Sequence, residues 1–333
     1  MTSERLNNLL PEMPPMVSST PVISVIMPVY NSIKYLDKAV NSILSQSFRD
    51  FEFLIFDDGS TDGSLKKLQQ YANQDKRIQL FTQEHRGLTI LLNEGLKKAT
   101  GKYIARMDSD DIALLNRFET QLTFLAENPE CVAVGSEILR IDPEGLPIGI
   151  KGQPTKHEEI LQALLNGRGG IINHPSAMFP RSALEAIGGY RCDLEPAEDF
   201  DLFVRLSEIG TLANLPQVLI KYRLHSQRTT SLRRKIQLEK VREIVCQAWC
   251  KRGMGEPPRD LLKSQPVLSP RESRKQWAQT AISQGYFITG LKHFIILLIN
   301  RPYSLTTWKM VLRSLKSSIK QRNLVNFVNS ASR

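Results

Sequence analysis

Short apolar runs alternate with stripes of helical period through the first third of the chain. Val-Ile-Ser-Val-Ile-Met, beginning at Val22, is nearly continuous in β-branched residues, the pattern of a strand buried on both faces. Leu36, Val40, Ile43 and Leu44 then share one helical face. Phe51–Phe56 reads as a second strand, Leu65, Leu68 and Tyr71 as the inner side of a helix, and Arg77–Thr82 as a short third strand. Leu88, Leu91, Leu92, Leu96 and Ala99 form another helical face, with Gly101 expected as its C-terminal stop. Lys102–Met107 is the fourth strand. Such alternation implies an α/β fold with a doubly wound, mostly parallel sheet and right-handed crossovers. Ligands of such sheets bind beyond the carboxyl ends of the strands.

After residue 111 the pattern changes. Phe118, Leu122 and Leu125 mark a helix, and the segment Cys131–Ile141 turns at Asp142-Pro143-Glu144-Gly145. Helices are expected at Glu158–Leu165, Ser182–Ile187 and about Glu198–Glu208, and strands at Ser176–Phe179 and Gln217–Leu224. This is a mixed, partly antiparallel portion. Beyond Ser231 the period is helical again: Ile236, Val241, Ile244 and Val245 form a stripe, and Pro257, Pro258, Pro266 and Pro270 interrupt it. Two more helical segments are expected at Gln276–Asn300 and Leu305–Val325.

Charge divides the chain where the pattern does. The 333 residues carry a net charge of +10. Leu232–Arg333 holds 20 Lys and Arg against 5 Asp and Glu, which leaves 24 basic and 29 acidic residues before it. A net of +15 thus follows one of −5, and a boundary is expected near residue 230. The expected organisation is a flexible leader over 1–20, an α/β domain over 21–230 and a basic helical region over 231–333. The α/β domain splits into a nucleotide-binding half, 21–112, and an acceptor half, 113–230. The 4 cysteines show no zinc spacing, and no apolar run suits a signal peptide or a transmembrane helix. These features point to the cytoplasm. The basic region, with Tyr286, Phe287, Trp308 and Phe327, suits either peripheral contact of 276–325 with an anionic membrane surface or packing on the domain. No motif suggests nucleic-acid binding.

The candidate chemistry lies at the strand ends. Asp108, Asp110 and Asp111 fall within four residues after the fourth strand. Carboxylates this close repel unless a cation lies between them, and oxygen donors suit Mg²⁺ or Mn²⁺. A helix cap at Asp111 is the competing reading. Tyr30 and the pair Asp57-Asp58 follow the first two strands and belong to the same rim, placed to stack on and accept from a base. The first strand runs into Pro-Val-Tyr-Asn-Ser with no glycine, which excludes a dinucleotide-type phosphate loop.

Ile-Ser-Val-Ile-Met-Pro-Val-Tyr-Asn, Asp-Asp-Gly-Ser-Thr-Asp and Gly-Lys-Tyr-Ile-Ala-Arg-Met-Asp-Ser-Asp-Asp together resemble family 2 glycosyltransferases. Glu84–Leu88 and Asn93–Leu96 resemble the donor-contacting loop of that family, Glu198–Leu202 its Glu-Asp catalytic motif, and Tyr222–His225 its C-terminal signature. The resemblance covers about residues 20–230 and implies a GT-A-type fold that moves a sugar, with inversion, from a nucleoside diphosphate donor to an acceptor hydroxyl. It implies Asp58 on the base, most often uracil, with Pro28 and Tyr30 walling the pocket. It further implies Asp108 on the ribose and Asp108, Asp110 and Asp111 as candidates for Mn²⁺ or Mg²⁺, with His225 reaching the ion or diphosphate. Arg86 would assist the phosphates and Asp199 would be the base, with Glu198 beside it. His174 is a lesser candidate for acceptor contact. The acceptor is expected to be a growing glycan or a lipid-linked one, in cell-surface polysaccharide synthesis. The competing readings are a non-catalytic relative that recruits partners, and a nucleotidyltransferase, which would need a basic Gly-rich loop.

Overall fold

Alternation with period two decides the first half of the sheet. In β1 (Ile23–Val29), Ile23, Val25, Met27 and Val29 pack into one core cluster while Ile26 packs into another. In β2 (Phe51–Asp57), Phe53 and Ile55 join the first cluster, and Leu54 and Phe56 join the second. Both faces are therefore covered, as a parallel sheet requires. The computed structural model describes residues 20–225, 233–258 and 268–300. The leader and the expected helix Leu305–Val325 lie outside the described residues.

With β3 (Ile78–Thr82) and β4 (Tyr103–Arg106), these strands form a parallel array in the order β3-β2-β1-β4. Helices α1 (Ile33–Leu44), α2 (Ser64–Gln74) and α3 (Leu88–Lys98) connect them. Ser24 of β1 and Glu52 of β2 satisfy one another: the Ser24 hydroxyl donates to Glu52 at 2.6 Å, and Thr100 and Gln79 also donate to the Glu52 carboxylate.

Gly101 is not the stop of α3. The helix ends at Lys98, and Ala99 is already extended. A side chain at Gly101 would place its Cβ 2.6 Å from the Ser24 backbone nitrogen. The glycine is there for close approach under β1. Gly101→Val should cost about 1–3 kcal/mol by overpacking, read as a lower urea midpoint; an unchanged midpoint would mean that β1 can shift.

The sheet continues through β8 (Met178–Pro180), antiparallel to β4, then β6 (Cys131–Ile141), β9 (Thr211–Arg223) and β5 (Ile112–Ala113). Strand β7 (Pro147–Ile150) turns back on β6 through the expected turn, where Asp142 Oδ1 accepts from the N–H groups of Glu144 and Leu146. β6 and β9 run parallel. β9 is longer than the sequence pattern suggests. Pro216 and Gln217 sit in a register shift, with Ser136 opposite Leu215 and Glu137 opposite Val218, so the proline interrupts the ladder without ending the strand.

Helices α4 (Arg117–Glu127), α5 (His157–Leu165), α6 (Arg181–Ala186) and α7 (Glu198–Leu206) surround this half. α8 (Arg234–Lys251) buries Val241, Ile244, Val245 and Ala248 in the same core cluster as α5 and α7, while Ile236 is exposed. Pro270, expected as a breaker, instead opens α9 (Pro270–Ser283) at its first turn, where a missing N–H costs nothing, behind a Ser269–Glu272 capping box. Gly285, with φ of +86°, then separates α9 from α10 (Phe287–Asn300).

The α9–α10 pair is docked on the β6–β7 hairpin. Gln284 bonds both the N–H and the carbonyl of Ile150, and Lys292 reaches Asp142 at 2.5 Å and Glu144 at 2.6 Å. Burial alone would push the Asp142 carboxyl up. Hydrogen bonds from His293, Lys292 and the Leu146 N–H outweigh it and hold that group well below the usual carboxylate range. A carboxylate with a depressed folded pKa stabilises above its unfolded value, near 4. Docking of α9–α10 should therefore persist at neutral pH and weaken only as acid protonates Asp142. Hydrogen exchange of α10 amides that fails to accelerate on acidification, after correction for intrinsic rates, would contradict this.

Candidate active site

The carboxyl ends of β1, β2 and β4 are tied into one rim. Asn31 adopts a left-handed conformation (φ 48°), its N–H donating to Ser60 Oγ and its side-chain oxygen accepting from the Thr61 N–H at 2.8 Å. The Ile33 N–H, at the start of α1, donates to Asp62 Oδ2 at 3.0 Å. The hydroxyls of Ser32 and Ser109 lie 2.7 Å apart and join the end of β1 to the acidic loop. Above the rim lies a cavity of about 840 Å³, within the range of small-ligand sites. Tyr30, Asp108 and Asp110 line it together with Glu198 and Asp199 from the other half of the domain.

The three acidic side chains of the loop have separate surroundings. Ligand atoms of Asp108, Asp110 and Asp111 all lie within 4.8 Å of one another, a spacing and an all-oxygen chemistry that fit a hard divalent ion. Asp108 pairs with the buried guanidinium of Arg106, and Asp110 Oδ2 lies 2.7 Å from His225 Nε2. Asp111 is fully buried, and its Oδ1 accepts the Arg223 N–H at 2.7 Å. The segment after it is the short strand β5, and α4 begins only at Arg117, so Asp111 does not cap a helix. It pins the end of β9 instead. The same strand brings His225 to the loop, and Arg223 Nε donates to the Asp110 carbonyl.

Three residues expected at the donor pocket, Pro28, Asp58 and Arg86, do not line this cavity. Pro28 is buried within β1 and does not line the cavity. Ile26 accepts from the Met107 N–H, so Pro28, two residues on, points to the same side, where pairing with β4 has already stopped. Its missing donor is lost without penalty there. The Arg86 side chain is also outside the cavity, held by Glu94 at 2.7 Å. Its backbone N–H does reach the rim, donating with the Gly87 N–H to the buried Asp58 carboxylate. His85 Nδ1 contacts the same carboxylate at 2.8 Å, and the His85 ring stacks on Tyr30 with centroids 4.4 Å apart. Asn93 and Gly95 belong to α3. The Asn93 amide bonds both backbone groups of Tyr190, and Gly95 lets Ile26 pack closely.

Glu198 and Asp199 open α7. Burial, then the charge of Asp199, pushes the Glu198 carboxyl up to about 8, and burial likewise raises Asp199. The Phe200 N–H and the charge of Arg106 work against that rise at Asp199. Both carboxyls are thus pushed toward their neutral forms by the same buried surroundings. His174 lies beside them, buried, with Nε2 2.8 Å from the Tyr190 hydroxyl. Burial, then the charge of Arg106, drives it well down, so it is neutral.

The structure adds two residues. Arg106 is a charge at the end of a buried strand, and such a charge requires a partner; in sequence it stands two residues before Asp108. Glu195 Oε2 accepts from the Thr89 N–H at the start of α3 and from the Thr89 hydroxyl, while Oε1 accepts from Arg233. It fastens the loop before α7 to the nucleotide-binding half. Nothing local in sequence signals a contact 106 residues away.

An acidic rim beyond a parallel sheet, facing two buried carboxyls across one cavity, is the arrangement of an α/β enzyme with its site at the strand ends. The family model for glycosyl transferase family 2 matches residues 24–188. An uncharacterized glycosyltransferase of Haemophilus influenzae is 34% identical over 237 residues, covering 68% of this chain and 73% of the relative. The chain belongs to glycosyl transferase family 2. The O-antigen biosynthesis glycosyltransferase WbnJ of Escherichia coli is 34% identical over 212 residues, covering 62% and 82% of the two chains. Among solved structures, S. aureus TarS in complex with UDP-GlcNAc matches with a TM-score of 0.54 at 18% identity, covering 91% of each chain. The mannosyltransferase PcManGT from Pyrobaculum calidifontis, in complex with GDP-Man and Mn²⁺, matches with a TM-score of 0.53 at 17% identity, covering 91% of this chain and 81% of the other. The fold is the expected GT-A type, and the protein is a glycosyltransferase.

Proposed function

We propose that the protein transfers a hexose, with inversion, from a UDP-linked sugar to a hydroxyl of a growing glycan or lipid-linked glycan in cell-surface polysaccharide synthesis. The observation that carries this reading is the single cavity lined by Asp108 and Asp110 on one side of the domain and by Asp199 on the other. Relatives named for O-antigen and chondroitin synthesis support the substrate class.

In this reading Tyr30 supplies a face for the base. Asp58 Oδ1 accepts one hydrogen bond, from the Arg86 N–H, and keeps a lone pair for a base N–H. Asp108 and Asp110, with His225, hold Mn²⁺ or Mg²⁺. The bound ion supplies Lewis-acid stabilisation of charge on the departing diphosphate. Asp199 accepts the proton of the acceptor hydroxyl as its oxygen attacks the anomeric carbon, and Glu198 stands beside it at the start of α7. Arg106 keeps Asp108 oriented.

The test is a panel of UDP-, GDP- and dTDP-sugars with Mn²⁺, read as released nucleoside diphosphate. UDP-sugars should be turned over fastest. No release with any donor would refute transfer, and preference for GDP-sugars would reassign the base. Tyr30→Ala should weaken UDP binding by about 1–3 kcal/mol, the usual worth of one aromatic–base stack, checked by calorimetry.

A further inference from the structure

The helix α10 has more apolar surface than its packing uses. Its sequence, Phe-Ile-Thr-Gly-Leu-Lys-His-Phe-Ile-Ile-Leu-Leu-Ile-Asn, is apolar almost all round, the pattern of a helix buried on every side. One face is indeed buried: Gly290, His293, Phe294 and Leu297 turn toward α9, where Gly290 fits against Ile282 and Phe294 packs with Ala278 and Ile282. The other face is open. Ile288 is 79% exposed, Leu291 55%, Ile295 46% and Ile299 73%. At helical pitch these four positions fall within about 80° of arc, a continuous stripe rather than scattered surface residues.

We propose that this stripe is a docking face for an anionic phospholipid bilayer, on which α10 lies in the plane of the interface. Charge selects the occupant. Residues 268–333 contain a single acid, Glu272, against Arg271, Arg274, Lys275, Lys292 and further Lys and Arg through 301–333. A second copy of the chain would bring the same positive region against itself, whereas anionic headgroups complement it. Spanning is excluded for this helix: among the described residues no helix is long and apolar enough to cross a membrane.

The anchoring of α10 also brings the bilayer near the chemistry. Lys292 grips Asp142, whose carbonyl accepts from Arg223, and Arg223 Nε donates to the Asp110 carbonyl. Two side chains thus separate the docking helix from the acidic loop. A transferase held this way meets an acceptor carried in the membrane without releasing it to solvent.

The test is co-sedimentation of the full chain with vesicles of phosphatidylglycerol and phosphatidylcholine, against pure phosphatidylcholine. Binding should be at least about tenfold stronger to the anionic vesicles and should fall with salt. The Ile288→Ser, Leu291→Ser, Ile295→Ser triple variant should lose it. Ile288→Ser alone should weaken it in the same direction, which keeps the test intact if the triple variant misfolds. Nucleoside diphosphate release from a soluble donor should be unchanged in these variants, so that failure of docking and failure of transfer are read separately. Equal binding by wild type and variants, no preference for anionic lipid, or a wild-type dimer that the variants abolish would each overturn the proposal.

Discussion

Asp199→Asn is expected to lower sugar transfer by about 10²–10⁴-fold, the usual worth of a general base, while donor binding stays near wild type. Asparagine keeps the shape of the side chain and an oxygen for the Phe200 N–H, which the Asp199 carboxylate accepts at 2.7 Å. What it removes is the ability to take a proton. The loss should therefore fall on kcat rather than on KM for the donor, because an interaction made only in the transition state is missing. The pH dependence gives a second signature. Burial raises the Asp199 carboxyl, so the base becomes active only as pH climbs through that raised value. Wild-type kcat should rise with pH along an acid limb above the ordinary carboxylate range. Retained transfer in Asp199→Asn would place the base elsewhere, with Glu198 the first alternative.

The parts of this site that sequence made legible are those that local rules control. Asp108 and Asp110 follow a short strand, and strand ends in a parallel sheet share one edge, so their convergence with Tyr30 on one cavity needed only the alternation of periods. Pro28 and Arg86 do not line the cavity, because sequence position does not say where a side chain points. Pro28 is buried within β1, and the Arg86 side chain finds Glu94 on the next helix. Glu195 and Arg106 escaped notice for a different reason. Glu195 acts across the fold, on Thr89, whereas Arg106 pairs with Asp108 only two residues on; in both cases tertiary packing, not local sequence, decides that the charge is enclosed and paired. Pro270 shows that the same residue starts a helix or breaks one according to its neighbours: behind Ser269 and before Glu272 it starts one.

Asp110→Ala should abolish the gain in UDP affinity that Mn²⁺ produces in the wild type, a loss of at least about 10²-fold in metal affinity, since even outer-shell partners are commonly worth 10–100-fold. Calorimetry of UDP with and without Mn²⁺ reads it directly. The three carboxylates of the loop are not equivalent, and their burial tells them apart. Asp108 and Asp110 line the cavity, whereas Asp111 is wholly buried, with Oδ1 spent on the Arg223 N–H. Asp111→Asn keeps an acceptor for that N–H, so it should lower stability while leaving most of the metal-dependent gain. His225→Ala, which removes the partner 2.7 Å from Asp110 Oδ2, should fall between the two. The order matters more than any single value. If Asp111→Asn lost the metal effect and Asp110→Ala kept it, the ion would sit behind the rim rather than on it, and the donor would have to bind in a different pose from the one that Tyr30 and Asp58 define.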